Sequence, residues 1–254
     1  MVAGSDTTSS AIANILYFLI CHPDAYKRLQ AEVDGLGDKL TDCSAQAQLP
    51  YLNAVMYVAS DKSKLSLYSN DMFYLVTKAS DYNPLSCLAY NVVQKKEAAE
   101  KWLDHCEFHS QYLRRQLIIC FAFSYLPEGN NAFVHTYSLQ RDPRYFSPHS
   151  DSFIPERWLS EDQREALEPK IFNSQIDFIH NTAAFIPFSV GPANCVGKNL
   201  AWLELRMVIT LMASRFDLAF EPGYNPLQWY DDICDYFITV KGQLPARLSV
   251  RTKV

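Results

Sequence analysis

The stretch Phe188-Ser189-Val190-Gly191-Pro192-Ala193-Asn194-Cys195-Val196-Gly197 runs almost directly into residues 200–216, where Leu200, Leu203, Met207 and Leu211 recur at the spacing of one helical face. A single cysteine between two glycines, on a loop that enters a helix, has its sulfur near the helix N-terminus. Unpaired backbone N–H groups and the helix dipole there favour a thiolate. That is the form an axial metal ligand needs. Gly191 and Gly197 allow a turn with positive φ and the close approach of a large flat ligand, which a Cβ would block.

Outward from this loop, the N-terminal segment Asp6-Thr7-Thr8-Ser9-Ser10 leads into ten residues, 11–20, that are apolar on nearly every side, and Pro23 ends the run. This pattern predicts a buried helix that begins at or before residue 1. With no capping sequence ahead of it, the chain is expected to open inside an element, with an N-terminal half of the protein missing. Residues 24–35 predict an amphipathic helix with Ala25, Leu29 and Val33 inward and Gly35 as its stop. Pro50, suited to a first helical turn, opens a third. Residues 57–125 differ in character: they hold no glycine and one proline, where about 5 glycines would be expected at a usage of roughly 7%. From Leu126 onward prolines and glycines return. Residues 134–139 predict a short strand or helix, and 141–156 a proline-interrupted coil pinned by specific contacts. Residues 237–240 and 247–250 predict two short strands joined around Gly242 and Pro245.

The composition sets outer bounds. A chain of 254 residues, 48% hydrophobic and 20% charged, can bury a substantial core. Its net charge of −5 leaves no basic stripe for a phosphate backbone, so nucleic acid is excluded as a partner. Its longest apolar runs fall well short of the roughly 20 residues that cross a bilayer, and no segment of it is expected to be transmembrane. Seven cysteines at irregular spacing, with no C-x-x-C, predict a reducing compartment rather than a disulfide framework.

The Cys195 loop resembles the haem-binding signature of the cytochrome P450 family, F-x-x-G-x-[basic]-x-C-x-G, at Phe188, Gly191, Cys195 and Gly197. Ala3-Gly4-Ser5-Asp6-Thr7-Thr8 is similar to the oxygen-activation stretch of that family's long central helix. A glycine and two hydroxyls within one turn allow the helical ladder to open locally and admit water. Arg141-Asp142-Pro143 and Phe153-Ile154-Pro155-Glu156-Arg157-Trp158 resemble two further family segments, in the family's order. A planar guanidinium such as that of Arg157 locks a loop by bidentate contacts to a carboxylate or to backbone carbonyls. The resemblance, strongest to fungal members, covers residues 1–55 and 126–254. It implies a mainly α fold with a small β component, the C-terminal part of the family's fold.

The resemblance further implies haem b (iron protoporphyrin IX) held by the Cys195 thiolate. Phe188 would pack beside the sulfur, Gly191 and Gly197 would make room for the ring, and Asp6 and Thr7 would relay protons as the catalytic pair. The implied reaction inserts one atom of O2 into a small apolar organic substrate, with electrons from NADPH-cytochrome P450 reductase. A full-length relative would sit at the endoplasmic reticulum membrane, facing the cytosol.

Two departures accompany the resemblance. Ala193 stands where many members place a basic residue toward a haem propionate. The helix opened by Pro50 should continue into a Glu-x-x-Arg pair that joins Arg157, yet none occurs between residues 50 and 156. Residues 57–125 are therefore expected to be translated intron or frame-shifted exon, and Met56-Tyr57-Val58 can be encoded across a splice-donor sequence. Two alternatives stay open: an inert fragment without haem, and a helical interaction or zinc module around His105 and His109, spaced i and i+4.

Overall fold

Residues 11–20 leave no polar stripe, and helix α1 (Val2–Cys21) accordingly buries Ile15, Phe18 and Leu19 in the middle of the molecule. The computed structural model describes residues 2–62, 119–121, 124–126, 136–190, 194–234 and 240–252. Helix α2 (Pro23–Asp34) starts on Pro23, with Asp24 in its first turn, where the dipole favours a carboxylate. Ala25, Leu29 and Val33 lie inward as expected, and Tyr26 and Gln30 join them. Gly35 ends α2 in a right-handed conformation (φ −65°), while the left-handed residue that redirects the chain is Gly37 (φ +53°).

Asp42 caps the short helix α3 (Cys43–Ala47) by accepting from the N–H groups of Ser44 and Ala45. Helix α4 (Pro50–Lys62) takes its cap from another element. The Glu32 carboxylate on α2 accepts from Tyr51 N–H and Leu52 N–H, at 2.8 Å each. The helix continues past Val55 without a break, with Met56, Val58 and Ala59 in the core.

Strands β1 (Ile119–Phe121) and β2 (Ser124–Leu126) form an antiparallel pair, and α5 (Thr136–Leu139) resolves the strand-or-helix alternative at 134–139 in favour of helix. The coil at 141–156 is pinned as expected. Asp142 accepts from Arg144, Tyr145 O accepts from Asn181 N–H at 2.8 Å, and β3 (Phe146–Ser147) pairs with β4 (Ile179–His180). The Ser147–Pro148 peptide bond is cis. Pro155–Trp158 forms a 3-10 turn packed on α4, and α6 (Glu161–Leu167) follows it.

Helix α7 (Lys198–Arg215) differs from the expected pattern. Its buried face is Trp202, Leu205, Ile209 and Ala213, whereas Leu200 and Leu203 are exposed. The segment is apolar on more than one side, so helical spacing fits two stripes. Packing of Trp202 against Phe188 and Tyr57 selects one of them. The tail differs as well. Strand β6 (Ala246–Val250) pairs with β5 (Phe216–Phe220), from Phe216 opposite Val250 to Phe220 opposite Ala246. Val240 instead bridges to Cys234, and Phe237, Ile238 and Thr239 lie outside the described residues.

Helices α1, α2, α4 and α7 enclose the core, with α1 against α4 and α7, and α2 against both as well. The short helix α8 (Gln228–Asp231) adds Trp229, wholly buried and stacked on Tyr17 at 5.5 Å. Trp202 is likewise core, whereas Phe216 is half-buried. No helix among the described residues is long and apolar enough to cross a membrane.

Candidate cofactor site around Cys195

The loop ahead of α7 is held at both ends. Phe188 is buried, with its ring edge-on to Trp202 at 5.0 Å, and its carbonyl accepts from Cys195 N–H at 3.0 Å. Cys195 carries a free, half-buried thiol, and its carbonyl accepts from Lys198 N–H at the start of α7. Gly197 occupies the cap position of α7 at φ −84°, so it is not the left-handed residue the glycine pattern suggested. That conformation belongs to Ser189 (φ +61°), whose hydroxyl oxygen is buried with no hydrogen-bond partner. What Gly197 contributes is space: a Cβ there would stand 3.8 Å from Cys195 Sγ. Gly191 and Ala193 lie outside the described residues.

Phe188, Cys195 and Gly197 are thus brought together, whereas Asp6 and Thr7 belong to another element, the first two turns of α1. Asp6 is exposed and Thr7 half-buried. The helix does not open there. The Thr7 hydroxyl donates to Gly4 O (3.4 Å) and the Ser9 hydroxyl to Asp6 O (3.0 Å), back-bonding one turn down the helix. Further along, α1 packs against α7, the helix that follows the Cys195 loop.

A charged and aromatic frame supports the loop from behind, and much of it has no signature in the sequence. Glu156 is almost wholly buried and meets Arg28 of α2 at 2.5 Å, while the Tyr51 hydroxyl of α4 donates to it at 2.7 Å. Arg28 also pairs with Glu168 at 2.8 Å. Burial alone would depress the Arg28 pKa, but hydrogen bonds to Glu168 and Glu156 outweigh it and hold the guanidinium above its ordinary value. Burial, reinforced by the Glu156 charge, raises the Tyr51 phenol far above its usual range, so it stays a donor.

Arg157 is fully buried, and its Nη2 donates to the carbonyls of Pro148 and His149, the loop-locking role expected of it. From Trp158 a run of ring contacts passes through Tyr57 (5.1 Å) and Trp202 (5.2 Å) to Phe188. Tyr57 therefore ties the end of α4 to the Cys195 loop.

His180 is half-buried against Trp158 at 4.4 Å. Its Nε2 is buried without a hydrogen-bond partner. Burial first, then Arg157 and Arg164, push its pKa down to about 4. The signal for Glu32 was available in the sequence, since a helix opening on Pro50 needs an acceptor for the next N–H groups and carries none itself. Arg28 had no such signal. His105 and His109 lie outside the described residues, and no group of side chains among the described residues is arranged to hold a metal ion by itself.

These features suit a haem. One free thiol precedes a long helix, a glycine leaves room beside the sulfur, and the orphaned Ser189 hydroxyl marks an unfilled polar position on the same loop. Val196 and Leu200, which follow Cys195 in the chain, are fully and 60% exposed and supply apolar surface.

Comparison with known proteins points the same way. The chain is 31% identical over 225 residues to the cytochrome P450 monooxygenase nodW of Hypoxylon pulicicidum, covering 88% of this chain and 32% of that protein. It is 26% identical over 238 residues to cytochrome P450 67 of Uromyces fabae, covering 94% and 35%. Against the tryprostatin B 6-hydroxylase of Neosartorya fischeri it is 26% identical over 255 residues, covering 99% and 36%. The chain therefore spans about a third of the length of these relatives. Among solved structures, the cytochrome P450DA heme domain matches with a TM-score of 0.62 at 21% identity, over 97% of this chain and 42% of that one, a likeness of fold. The family model for cytochrome P450 matches residues 1–57 and 123–240. Since those residues take in α1, Pro155–Trp158 and the Cys195 loop, the chain belongs to the cytochrome P450 family.

Proposed function

We propose that this chain is the haem-binding C-terminal part of a monooxygenase, with Cys195 as the protein ligand of haem b. The observation that carries the reading is the half-buried Cys195 thiol, fixed to Phe188 O and presented at the start of α7 within a fold like that of P450 proteins. When bound, the haem supplies oxygen activation, and thiolate ligation favours O–O cleavage.

The chain's own residues bind, orient and shield. Cys195 binds through sulfur. Phe188 and Trp202 close off one side of the loop with aromatic surface, and the Phe188 carbonyl orients the Cys195 backbone. Gly197, and Gly191 with it, keep the ring's approach clear of side chains. The Asp6 carboxylate and the Thr7 hydroxyl on α1 are the candidate proton relay. The substrate is a small apolar organic molecule, the co-substrate is O2, and the electron donor is NADPH-cytochrome P450 reductase, at the cytosolic face of the endoplasmic reticulum. The names of the fungal relatives support the monooxygenase reading. On this reading residues 57–125 are a translated intron or frame-shifted exon, which the break in the family match supports over residues 58–122.

Haem titration of the purified chain tests the proposal. One haem per chain, with a thiolate-type Soret shift on adding CO to the reduced protein, is expected. Failure to take up haem favours the inert-fragment reading. Stoichiometric zinc without haem favours the zinc module. Sequencing the transcript tests the segment: a spliced message lacking it and encoding Glu-x-x-Arg is expected, and a mature message containing it intact overturns that part.

A further inference from the structure

Cys195 is placed through its backbone at two points. Its carbonyl accepts from Lys198 N–H at 3.3 Å, which ties it directly to the first turn of α7, and its N–H donates to Phe188 O at 3.0 Å. The second anchor is only as firm as Phe188, a loop residue. The next residue, Ser189, lies at φ +61°, a left-handed conformation that a residue with a Cβ adopts only where its surroundings enforce it. Ser189 N–H donates to Ile186 O at 3.0 Å, which closes the turn but leaves the Phe188 ring to be held by its neighbours.

The neighbour that meets this ring is Trp202. Phe188 is buried and stands edge-on to the indole, at 5.0 Å between ring centres and 65° between planes. Trp202 stands one turn beyond Lys198, and helical side chains lean toward the N-terminus of their helix, so its indole reaches back to Phe188. The indole is itself buried, and Tyr57 of α4 meets it edge-on at 5.2 Å. Both anchors of Cys195 thus lead to α7, one through a hydrogen bond and one through a ring pair.

We propose that Trp202 is a positioning residue that acts through Phe188 to hold the Cys195 sulfur in place, a role that rests on the reading of Cys195 as the haem ligand. With the indole present, the Phe188 carbonyl stays on the Cys195 N–H and the loop keeps its aromatic cover. Without it, the Phe188 ring loses its edge-on partner, the hydrogen bond opens more often and water reaches the sulfur. Water bonded to a thiolate draws electron density from it, which makes a ligated iron easier to reduce.

Amide hydrogen exchange of the full chain without haem, followed residue by residue by NMR, is the test. Asn181 N–H, held by Tyr145 O at 2.8 Å, is the reference, because a general loosening of loops speeds both amides alike. Trp202→Leu is expected to speed exchange at Cys195 about three- to tenfold more than at Asn181, the size of one edge-to-face ring pair. Trp202→Phe, which keeps a ring, should hold the increase under about twofold. In a Phe188→Leu background, Trp202→Leu should add nothing. Should Trp202→Leu not fold, Trp202→Met, which fills the site without a ring, carries the same expectation. In the haem-loaded chain, Trp202→Leu should raise the reduction potential of the iron and Trp202→Phe should restore it. Haem uptake by the unmodified chain tests the ligand reading separately, and the exchange rates decide the role of Trp202 whether or not haem is taken up. Equal acceleration at Cys195 and Asn181, an effect as large in Trp202→Phe as in Trp202→Leu, one that persists in full without the Phe188 ring, or a potential that Trp202→Leu leaves unchanged overturns the proposal.

Discussion

Replacing Arg28 by Met removes the cation that joins α2 to Pro155–Trp158 and leaves the Glu156 carboxylate, 4% exposed, with only the Tyr51 hydroxyl at 2.7 Å among the described residues. Loss of one partner of a fully buried pair costs about 3–5 kcal/mol. Arg28 is 31% exposed, and Tyr51 still satisfies one Glu156 oxygen, so the expected cost is lower, about 2–3 kcal/mol. The Glu168 contact, at 30% exposure, adds at most a few tenths of a kcal/mol. Urea unfolding, followed by tryptophan fluorescence, reads the change. A cycle with Glu156→Gln separates the pair from its surroundings: once the buried charge is gone, removing Arg28 should matter less, with a coupling of about 1–2 kcal/mol. A loss under about 0.5 kcal/mol, the value of a surface pair, or an additive cycle refutes the reasoning.

His180 should make the fold acid-sensitive. Unfolded, it binds a proton below about 6.5, whereas folded it stays neutral down to about 4. Between those values the unfolded chain holds more protons, so stability is lost as pH falls through that window. After allowing for partial exposure the loss is roughly 2 kcal/mol, and His180→Phe should flatten the pH profile of the unfolding midpoint. Glu32→Ala should cost about 1–2 kcal/mol by uncapping α4, read by urea unfolding, with loss of amide-exchange protection at Tyr51 and Leu52. Gly197→Val, which adds branches beyond the 3.8 Å Cβ position, should weaken haem uptake at least about tenfold while leaving the haem-free unfolding midpoint within about 0.5 kcal/mol.

The parts of this molecule governed by one-sided patterns were legible in its sequence. Ala25, Leu29 and Val33 fall on a single stripe, and all three are buried. Pro50 marks a helix start because a missing N–H costs nothing there, and Pro23, read as the end of the first helix, also opens α2. The loop Phe188–Gly197 was legible through its resemblance to the family's haem-binding signature, and the family match takes it in.

Two-sided patterns misled. Residues 198–215 are apolar around the helix, so Leu200 and Leu203 looked as good an inner face as Leu205 and Ile209, and only the rings of Phe188, Tyr57 and Trp202 decide between them. The β5–β6 pairing was hidden because hydrophobic alternation predicts strands without naming their partners. The Arg28–Glu156 pair joins residues 128 apart, and nothing in either neighbourhood announces the other. Of the two reasons given for Gly197, freedom of φ is unused at φ −84°, while a Cβ there would stand 3.8 Å from Cys195 Sγ.

Iron K-edge X-ray absorption on the haem-loaded chain tests Cys195 most directly, because it reports the atoms bonded to the metal. One sulfur scatterer at bonding distance is expected in the unmodified protein, and none in Cys195→Ser. A first shell of nitrogen and oxygen alone in the unmodified protein, or a sulfur that persists in the variant, contradicts the account.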